Sequence, residues 1–254
     1  MNINLNADLG EGYGPWRMGD DDAMLAVVAS ANIACGAHAG DPDTMRRTVR
    51  RAVERGVSIG AHPSYPDLQG FGRRPMALST VELENQIAFQ VGALAGVAAL
   101  EGGRVSHVKP HGALNNLACA DRALADTICR AVRAIDPALI LLAPAASQLV
   151  AAGQAAGLMV VEEIFADRAY LADGQLVPRS RPDAMIDGAA ACLAHVLAML
   201  EAGALIAIDG TRIATPIGSI CVHGDNPHAV AVAQHLRQQL DARGYRILPL
   251  PQLI

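Results

Sequence analysis

The chain alternates short apolar runs with longer segments of helical periodicity, and this alternation restricts it to a small set of folds. The runs are nearly continuously apolar, as expected for strands of a parallel sheet that helices cover on both faces. We place these predicted strands at residues 3–9, 31–35, 58–61, 106–108, 139–143, 160–165, 205–208 and 220–222.

The segments between the runs carry the start and stop signals of helices. These signals include N-capping side chains, a first-turn proline, a capping box and terminal glycines. Five helices are predicted. One runs from Asp41-Pro42 to Gly56, one from the capping box of Ser79 and Glu82 to Gly102-Gly103, two follow the apolar stripes over 124–135 and 186–200, and one runs from Asn226-Pro227 to Gly244.

A βαβα order without a composition break predicts an α/β fold, most simply one TIM-like (β/α) barrel domain over residues 1–254. The length is close to the roughly 250 residues typical of that barrel. A doubly wound open sheet is the alternative, because periodicity does not tell whether a sheet closes.

The composition narrows the class of protein. The net charge is -5 and no basic tract occurs, which argues against nucleic acid as a partner. Neither a signal peptide nor an apolar stretch of membrane-spanning length is present, so we expect a cytoplasmic protein that does not enter the membrane. Five cysteines without a Cys-x-x-Cys pair indicate no disulfide framework and no zinc knuckle. Small ligands are therefore the default partners, and a homo-oligomer remains open.

Polar side chains follow the ends of most predicted strands. In a (β/α) barrel the active site forms where the strands end, so residues far apart in sequence should converge there. Four strands lead to histidines, which is hard to ascribe to chance. The candidates are Asn6, Asp8, Glu11, Asn32, His38, His62, Asp67, Lys109, His111, Glu162, Glu163, Asp167, Arg168, His223 and Asp225.

Lys109 is the only lysine of the chain and stands two residues before His111. All other cationic side chains are arginines, which stay charged, whereas the pKa of a lysine shifts on burial. The alternative explanation is that an arginine-rich composition contains one lysine by chance. Its place at a strand end favours an active-site cation.

Asp8 is a candidate general base or metal ligand, although Asp8 and Glu11 could simply cap the next helix. The strand-end histidines could transfer protons, ligate a divalent metal or bind a substrate carbonyl. Asp8, His38 and His62 would form a two-histidine, one-carboxylate metal set if their loops meet. The sequence leaves that condition open.

A glycine-flanked basic loop contains Arg73 and Arg74 and could grip a carboxylate or phosphate, or be a solvated surface loop. No Gly-x-x-x-x-Gly-Lys-[Ser/Thr] motif occurs, so the chain has no P-loop. His195, His228 and His235 fall inside predicted helices and are assigned structural or surface positions.

Seven motifs together resemble the LamB/YcsF family, in the same order and over nearly the whole chain. One departure is Asn115, where the family usually has tyrosine, which could alter specificity or rate. The motifs are Asn6-Ala-Asp-Leu-Gly-Glu11, the stretches 32–42, 60–67, 70–74 and 108–114, Phe165-Ala-Asp-Arg-Ala-Tyr170 and Cys221-Val-His-Gly-Asp225.

The resemblance implies a barrel, seven-stranded or distorted, similar to that of the glycoside hydrolase and deacetylase superfamily. It also implies ATP-dependent opening of 5-oxo-L-proline to L-glutamate, with the B and C subunits of a 5-oxoprolinase as partners. ATP would be a cosubstrate, so the chain would be nucleotide-binding alone or with its partners. A bound divalent metal is left open.

Within that reaction, we expect the catalytic residues to be Asp8, His38, His62, Lys109, His111 and His223. Asp8 or a histidine would act as base, Lys109 would bind the carbonyl oxygen or phosphate, and His111 or His223 would deliver a proton. Residues expected to bind substrate are Asn6, Glu11, Arg73, Arg74, Glu163 and Asp225.

Two other functions remain open. A metal-dependent deacetylase-like hydrolase could act alone on an N-acyl or lactam substrate. Alternatively, the chain could be a non-catalytic subunit that carries substrate to its partners.

Overall fold

The computed structural model describes residues 1–223 and 229–254, and its centre is a closed parallel barrel. Seven strands of this described part form the barrel wall, in the order β1-β2-β3-β4-β5-β6-β9, and β9 pairs back onto β1. These strands are β1 Asn2–Leu9, β2 Ser30–Ala34, β3 Ser58–His62, β4 Val105–Val108, β5 Ile140–Pro144, β6 Met159–Phe165 and β9 Ser219–Val222. The predicted (β/α) barrel is confirmed.

The predicted strand at 205–208 does not belong to the barrel, so seven of the eight predicted strands form its wall, as the family resemblance implies. Strand β7 (Ala204–Ile206) instead pairs antiparallel with β8 (Arg212–Ala214). The chain reverses at Gly210, whose φ of 87° suits glycine, and the Asp209 carboxylate accepts a hydrogen bond from Thr211 N. A short β10 (Arg246–Ile247) pairs with the start of β1.

Helices follow most of the strands and cover the barrel. Their apolar faces pack on the outward side chains of the strands in one continuous core. The helices are α1 Asp21–Leu25, α2 Pro42–Arg55, α3 Thr80–Leu100, α4 Gly112–Ala120, α5 Arg122–Ile135, α6 Gln148–Ala155, α7 Ala189–Ala202 and α8 Ala229–Ala242, with a 3-10 turn at Leu250–Gln252. Among the described residues, no helix combines the length and hydrophobicity that a membrane crossing requires.

The capping signals predicted from sequence largely operate as expected. The Asp41 side chain accepts from Asp43 N and Thr44 N, and Gly56 ends α2 in the left-handed region. Ser79 and Glu82 form the capping box of α3. Helix α7 begins three residues later than predicted, at Ala189. The predicted opening at Asn226-Pro227 lies outside the described residues.

The part of the barrel interior that β1 lines is polar, so near-continuous apolar patterning is wrong for β1. Successive side chains of a strand point to opposite faces, and in β1 the polar ones form the interior. Asn4 Nδ2 donates to Ser30 Oγ at 2.7 Å, and Asn6 Nδ2 donates to Ser219 Oγ at 2.8 Å. Asp8 continues this face toward the C-terminal end of the barrel. The polar side chains of β1 therefore form a row that ends at the C-terminal ends of the barrel strands.

His107 fills the barrel next to Gly60, its register partner on β3. Its Nε2 lies 3.1 Å from Asn32 Oδ1, and burial lowers its pKa to about 3, so the ring is neutral. A Cβ on Gly60 would stand 2.1 Å from His107 Nε2. Glycine is needed here because the imidazole lies against the backbone of the next strand.

We expect Gly60→Ala to lower the free energy of unfolding by about 1–3 kcal/mol, as overpacking of a closed core does. Gly92→Ala on α3 is the matched control. Its new methyl meets nothing within 4 Å, so we expect it to stabilise the helix by about 0.5–1 kcal/mol. Urea unfolding of both variants measures the difference. Equal stability of Gly60→Ala and the parent would refute the packing assigned to His107.

Candidate active site

A cavity of about 520 Å³ lies at the C-terminal ends of the barrel strands. Its walls come from the ends of β1, β3, β5 and β6 and from the loops that follow these strands, β4 and β9. The predicted site residues that line it are Asp8, Glu11, His62, Arg73, Lys109, His111 and His223. Residues up to 215 positions apart in the chain thus converge as the barrel topology predicts.

Lys109 lies at the cavity floor in a buried ion triad with Asp8 and Glu163. Its Nζ is 3.1 Å from Asp8 Oδ1, 3.1 Å from Glu163 Oε2 and 3.1 Å from Cys221 Sγ. Burial works to lower the pKa of Lys109, but the neighbouring carboxylates, Asp8 first, raise it above its usual value. The ammonium is therefore charged, and each of its three N–H groups has an acceptor.

Asp8 is held as an ionised acceptor. Its Oδ1 also accepts from Asn32 Nδ2 at 2.9 Å, and its Oδ2 lies 3.3 Å from His62 Nε2. Burial would raise the pKa of Asp8, but His62 and Lys109 together hold it well below its usual value. A fixed carboxylate thus faces the cavity.

Asn6 and Glu163 lie beneath the floor and do not line the cavity. Asn6 Nδ2 donates to Glu163 Oε2 at 3.2 Å, and both side chains are fully buried. Burial raises the pKa of Glu163 despite the attraction of Lys109. Both were predicted to bind substrate, but their positions suit support of Lys109.

His62 and His111 turn their inner ring nitrogens toward each other. His62 Nδ1 lies 2.6 Å from Lys109 O, and His111 Nε2 lies 2.9 Å from Phe71 O. A carbonyl oxygen only accepts, so each of these outer nitrogens carries a proton. The inner nitrogens, His62 Nε2 and His111 Nδ1, are 3.0 Å apart, and His62 Nε2 also lies 3.3 Å from Asp8 Oδ2.

Glu11 and His38 complete this group. Glu11 Oε1 lies 3.3 Å from His38 Nε2 and 3.5 Å from His111 Nδ1, and the His38 and His111 rings stack at 3.8 Å. Burial, reinforced by the neighbouring histidines, lowers the pKa of His38 and His111 well below the usual value. Of the predicted set Asp8, His38 and His62, Asp8 contacts only His62, and Glu11 and His111 occupy the space beside His38.

The loop over 70–74 folds tightly onto the histidines. Gly72 has a φ of 64°, and a Cβ there would lie 2.2 Å from Ser64 Oγ, so only glycine fits. Arg73 lines the cavity, with its guanidinium 5.0 Å from the centre of the Phe71 ring. Arg74 does not line it; its side chain is 64% exposed and pairs with Asp67. Arg73 and Arg74 are neighbours in sequence, but only Arg73 of the two faces the cavity.

His223 faces the opposite wall and pairs with Asp167. Its Nδ1 lies 2.8 and 2.9 Å from the two carboxylate oxygens, and its ring stacks on Phe165 at 5.5 Å. Burial would lower the pKa of His223, but the charge and hydrogen bonds of Asp167 outweigh it and raise it. Asp225, predicted to bind substrate, lies outside the described residues.

Arg168 and Arg179 also line the cavity. Arg168 is a strand-end candidate to which the sequence assigned no role, and Arg179 was missing from the predicted site. Arg168 Nη2 donates to Val177 O at 2.8 Å, while its buried Nε has no hydrogen-bond partner among the described residues. Burial, together with the charge of Arg179, lowers the pKa of Arg168 to about 10. Arg179 lies in a segment without any motif, so no sequence signal pointed to it.

Asn115, where the resemblance led us to expect tyrosine, is buried and lines the cavity. Its Oδ1 has no hydrogen-bond partner within the described part of the chain. A buried unpaired amide oxygen can accept a hydrogen bond from a ligand. The substitution therefore lies where it can affect specificity.

The comparisons with known proteins agree on one family. Its sequence model, described as the LamB/YcsF family, matches residues 3–254. The A subunit of 5-oxoprolinase from Azoarcus sp. (strain BH72) is 59% identical over 253 residues, covering 100% of this chain and 99% of the relative. The A subunit of 5-oxoprolinase from Methylococcus capsulatus is 58% identical, covering 98% and 95%.

Solved structures extend the comparison. A lactam utilization protein from Thermus thermophilus has a TM-score of 0.92 and 42% identity, covering 98% of this chain and 100% of that one. Peptidoglycan deacetylase PdaC from Bacillus subtilis, with a TM-score of 0.52 and 14% identity, covers 99% and 89% and shares the fold alone. Because the sequence model spans nearly the whole chain and these relatives match it end to end, the chain belongs to the LamB/YcsF family.

Proposed function

We propose that this chain is the lactam-hydrolysing subunit of an ATP-dependent 5-oxoprolinase. With B and C subunits as partners, it would convert 5-oxo-L-proline, ATP and water to L-glutamate, ADP and phosphate. The observation that carries this proposal is the cavity itself, where an ionised Asp8, the His223–Asp167 pair and cationic arginines face one space. The names of the relatives supply the substrate.

The arginines suit the anionic groups of these substrates. 5-Oxo-L-proline carries a carboxylate, and ATP supplies a phosphate. Arg73 and Arg168 line the cavity, and the buried Nε of Arg168 is a donor that no described residue engages. An arginine offers paired N–H groups that match a carboxylate or phosphate. We therefore assign substrate anion binding to Arg168 and Arg73, and not to Arg74.

An unactivated lactam is a poor electrophile, and phosphorylation of its oxygen by ATP removes that obstacle. The lactam oxygen attacks the γ-phosphorus of ATP, which releases ADP and leaves an O-phosphorylated imidate. Water then adds to the imidate carbon, and the ring nitrogen accepts a proton as the C–N bond breaks, which gives an acyl phosphate. A second water hydrolyses the acyl phosphate to glutamate and phosphate.

The residues of the cavity match the proton transfers of this path. Asp8 is oriented to take a proton from water, because Lys109 and Asn32 fix its carboxylate. His223 would give a proton to the ring nitrogen, because Asp167 favours its protonated form. Lys109 has its N–H groups engaged, so we assign it to positioning Asp8. The chain lacks a P-loop, so we assign much of the nucleotide binding to partner subunits.

We expect glutamate formation from 5-oxoproline and ATP only when the chain is combined with its B and C subunits. Asp8→Asn should lower kcat in this reconstituted assay by about 10²–10⁴-fold, the contribution of a positioned general base. Asp22→Asn, at a site whose side chain is 61% exposed, is the control and should leave kcat unchanged.

Three outcomes would count against the proposal. Absence of ATP-dependent turnover in every combination would overturn it. Full activity of Asp8→Asn would favour a substrate-carrying role without catalysis. Hydrolysis of an N-acyl substrate by the chain alone would favour the deacetylase-like alternative.

The His223–Asp167 pair predicts a pH dependence. The raised pKa of His223 keeps its proton on to higher pH, so activity should fall as the pH rises through that pKa. Asp167→Asn removes the charge that raises the pKa of His223, so the lowering effect of burial on this pKa should prevail. The alkaline limb of kcat/KM should then move to lower pH. Asp8 and Lys109, the other charged groups acting on His223, are unchanged in this variant.

The pH profile is compared with that of Asp126→Asn, a change at an exposed ion pair on α5. This control should keep the profile of the parent. A uniform loss of rate in Asp167→Asn, with the alkaline limb unmoved, would contradict the role of His223 as proton donor.

Arg168→Gln should raise the KM for 5-oxoproline or ATP more than it lowers kcat. A hydrogen bond to a charged group contributes about 1.5–3 kcal/mol, so we expect an increase of roughly tenfold or more. Arg122→Gln, at an exposed arginine on α5, should leave KM unchanged. Steady-state kinetics with each substrate varied in turn gives the values, and an unchanged KM for both would exclude Arg168 from substrate binding.

A further inference from the structure

We propose that Glu11, His38, His62 and His111 bind one divalent transition-metal ion at the wall of the cavity. One donor atom of each residue lies within 4.8 Å of the others, and all four residues are buried. This set differs from the one predicted from sequence, because Glu11 and His111 take the place of Asp8. The inference stands independently of the proposed function.

The strongest argument is the convergence of possible ligand atoms. Backbone carbonyls hold one proton on the outer nitrogen of His62 and of His111, so His62 Nε2 and His111 Nδ1 point inward and lie 3.0 Å apart. Glu11 Oε1 lies 3.5 Å from His111 Nδ1. In the singly protonated rings, all three atoms would offer lone pairs to the same space, as the ligands of one metal ion do.

The spacing of the donors fits such an ion. Zinc binds imidazole nitrogens and carboxylate oxygens at about 2.0–2.2 Å in tetrahedral sites, which places neighbouring donors roughly 3.3–3.5 Å apart. The separations here are 3.3 Å for His38 Nε2 to Glu11, 3.5 Å for Glu11 to His111 and 3.0 Å for His111 to His62. The remaining separations are within 4.8 Å, so the side chains would draw closer together around a bound ion.

The groups around the histidines are those that accompany metal ligands elsewhere. A ligating histidine usually donates its other N–H to a carbonyl or carboxylate, which fixes the tautomer and the ring orientation. Lys109 O and Phe71 O do this for His62 and His111. His38 differs from them, because its Nδ1 is buried without a partner among the described residues while its Nε2 faces Glu11.

A second group, Asp8, Cys221 and His223, has metal-like spacing but is a weaker candidate. The Lys109 ammonium already contacts both Asp8 and Cys221, so a cation is present there. Asp167 engages Nδ1 of His223. The wall formed by Glu11 and the three histidines is therefore the better place for a metal ion.

Glu11, His62 and His111 line the cavity, so an ion held by them would be accessible to a ligand there. When bound, it would supply Lewis-acid polarisation of an oxygen that enters the cavity. His38 is not among the lining residues; it stacks on His111 and would complete the ligand set.

The test uses the full chain alone, made metal-free with a chelator and then titrated with Co²⁺ and with Zn²⁺. We expect one equivalent of either metal to bind. Bound Co²⁺ should show the visible absorption bands of a site of low coordination number, and added Zn²⁺ should displace the Co²⁺. Loss of an outer-shell partner typically weakens metal binding by about 10–100-fold, so loss of a ligand in His111→Gln or Glu11→Gln should weaken it by at least about 100-fold. His235→Gln on α8 is the control and should bind as the parent does.

Circular dichroism before titration shows whether each variant is folded. If His111→Gln is unfolded, Glu11→Gln provides the test. Failure of the parent chain to bind Co²⁺ or Zn²⁺ at micromolar concentrations would overturn the proposal. Unchanged affinity in the folded ligand variants would also overturn it. Because no lactam, ATP or partner subunit is present, these results do not depend on whether the chain acts in a 5-oxoprolinase.

Discussion

The buried ion triad of Asp8, Lys109 and Glu163 is the interaction on which the rest of the site depends. Moving a charged group out of water costs several kcal/mol, and only close, well-directed partners offset that cost. Lys109 meets this condition because β1, β4 and β6 bring two carboxylates to 3.1 Å from one ammonium. The charge balance therefore fixes three strands of the barrel relative to one another and holds Asp8 in place.

The polar side of the barrel interior follows from the same constraint. An apolar filling there would leave the triad without hydrogen bonds, whereas Asn6 and Asn32 donate to its carboxylates. Asn4, Ser30 and Ser219 continue this network below the triad. Hydrogen bonds between buried polar side chains favour one arrangement of the network. The site is thus supported by side chains that never reach the cavity.

The cavity has two chemically different walls. On one wall, Glu11 lies among the imidazoles of three histidines. On the other, His223 and Arg168 carry positive charge beside Asp167. Asp8 stands between the two walls.

The capping interactions of the helices could be predicted from the sequence. The Asp41 cap, the Ser79–Glu82 capping box and the left-handed Gly56 are confirmed because they depend on neighbours within four residues. The motifs also gave the family, and the βα order placed Asp8, His62, Lys109, His111 and His223 at one end of the barrel. Tertiary structure alone decided that seven described strands close the barrel, that Arg73 and not Arg74 faces the cavity, and that Glu11 and His111 join His38 and His62. These outcomes rest on hydrogen bonds and charges between residues far apart in the chain, which form only once strand register and closure are set, and no local pattern encodes them.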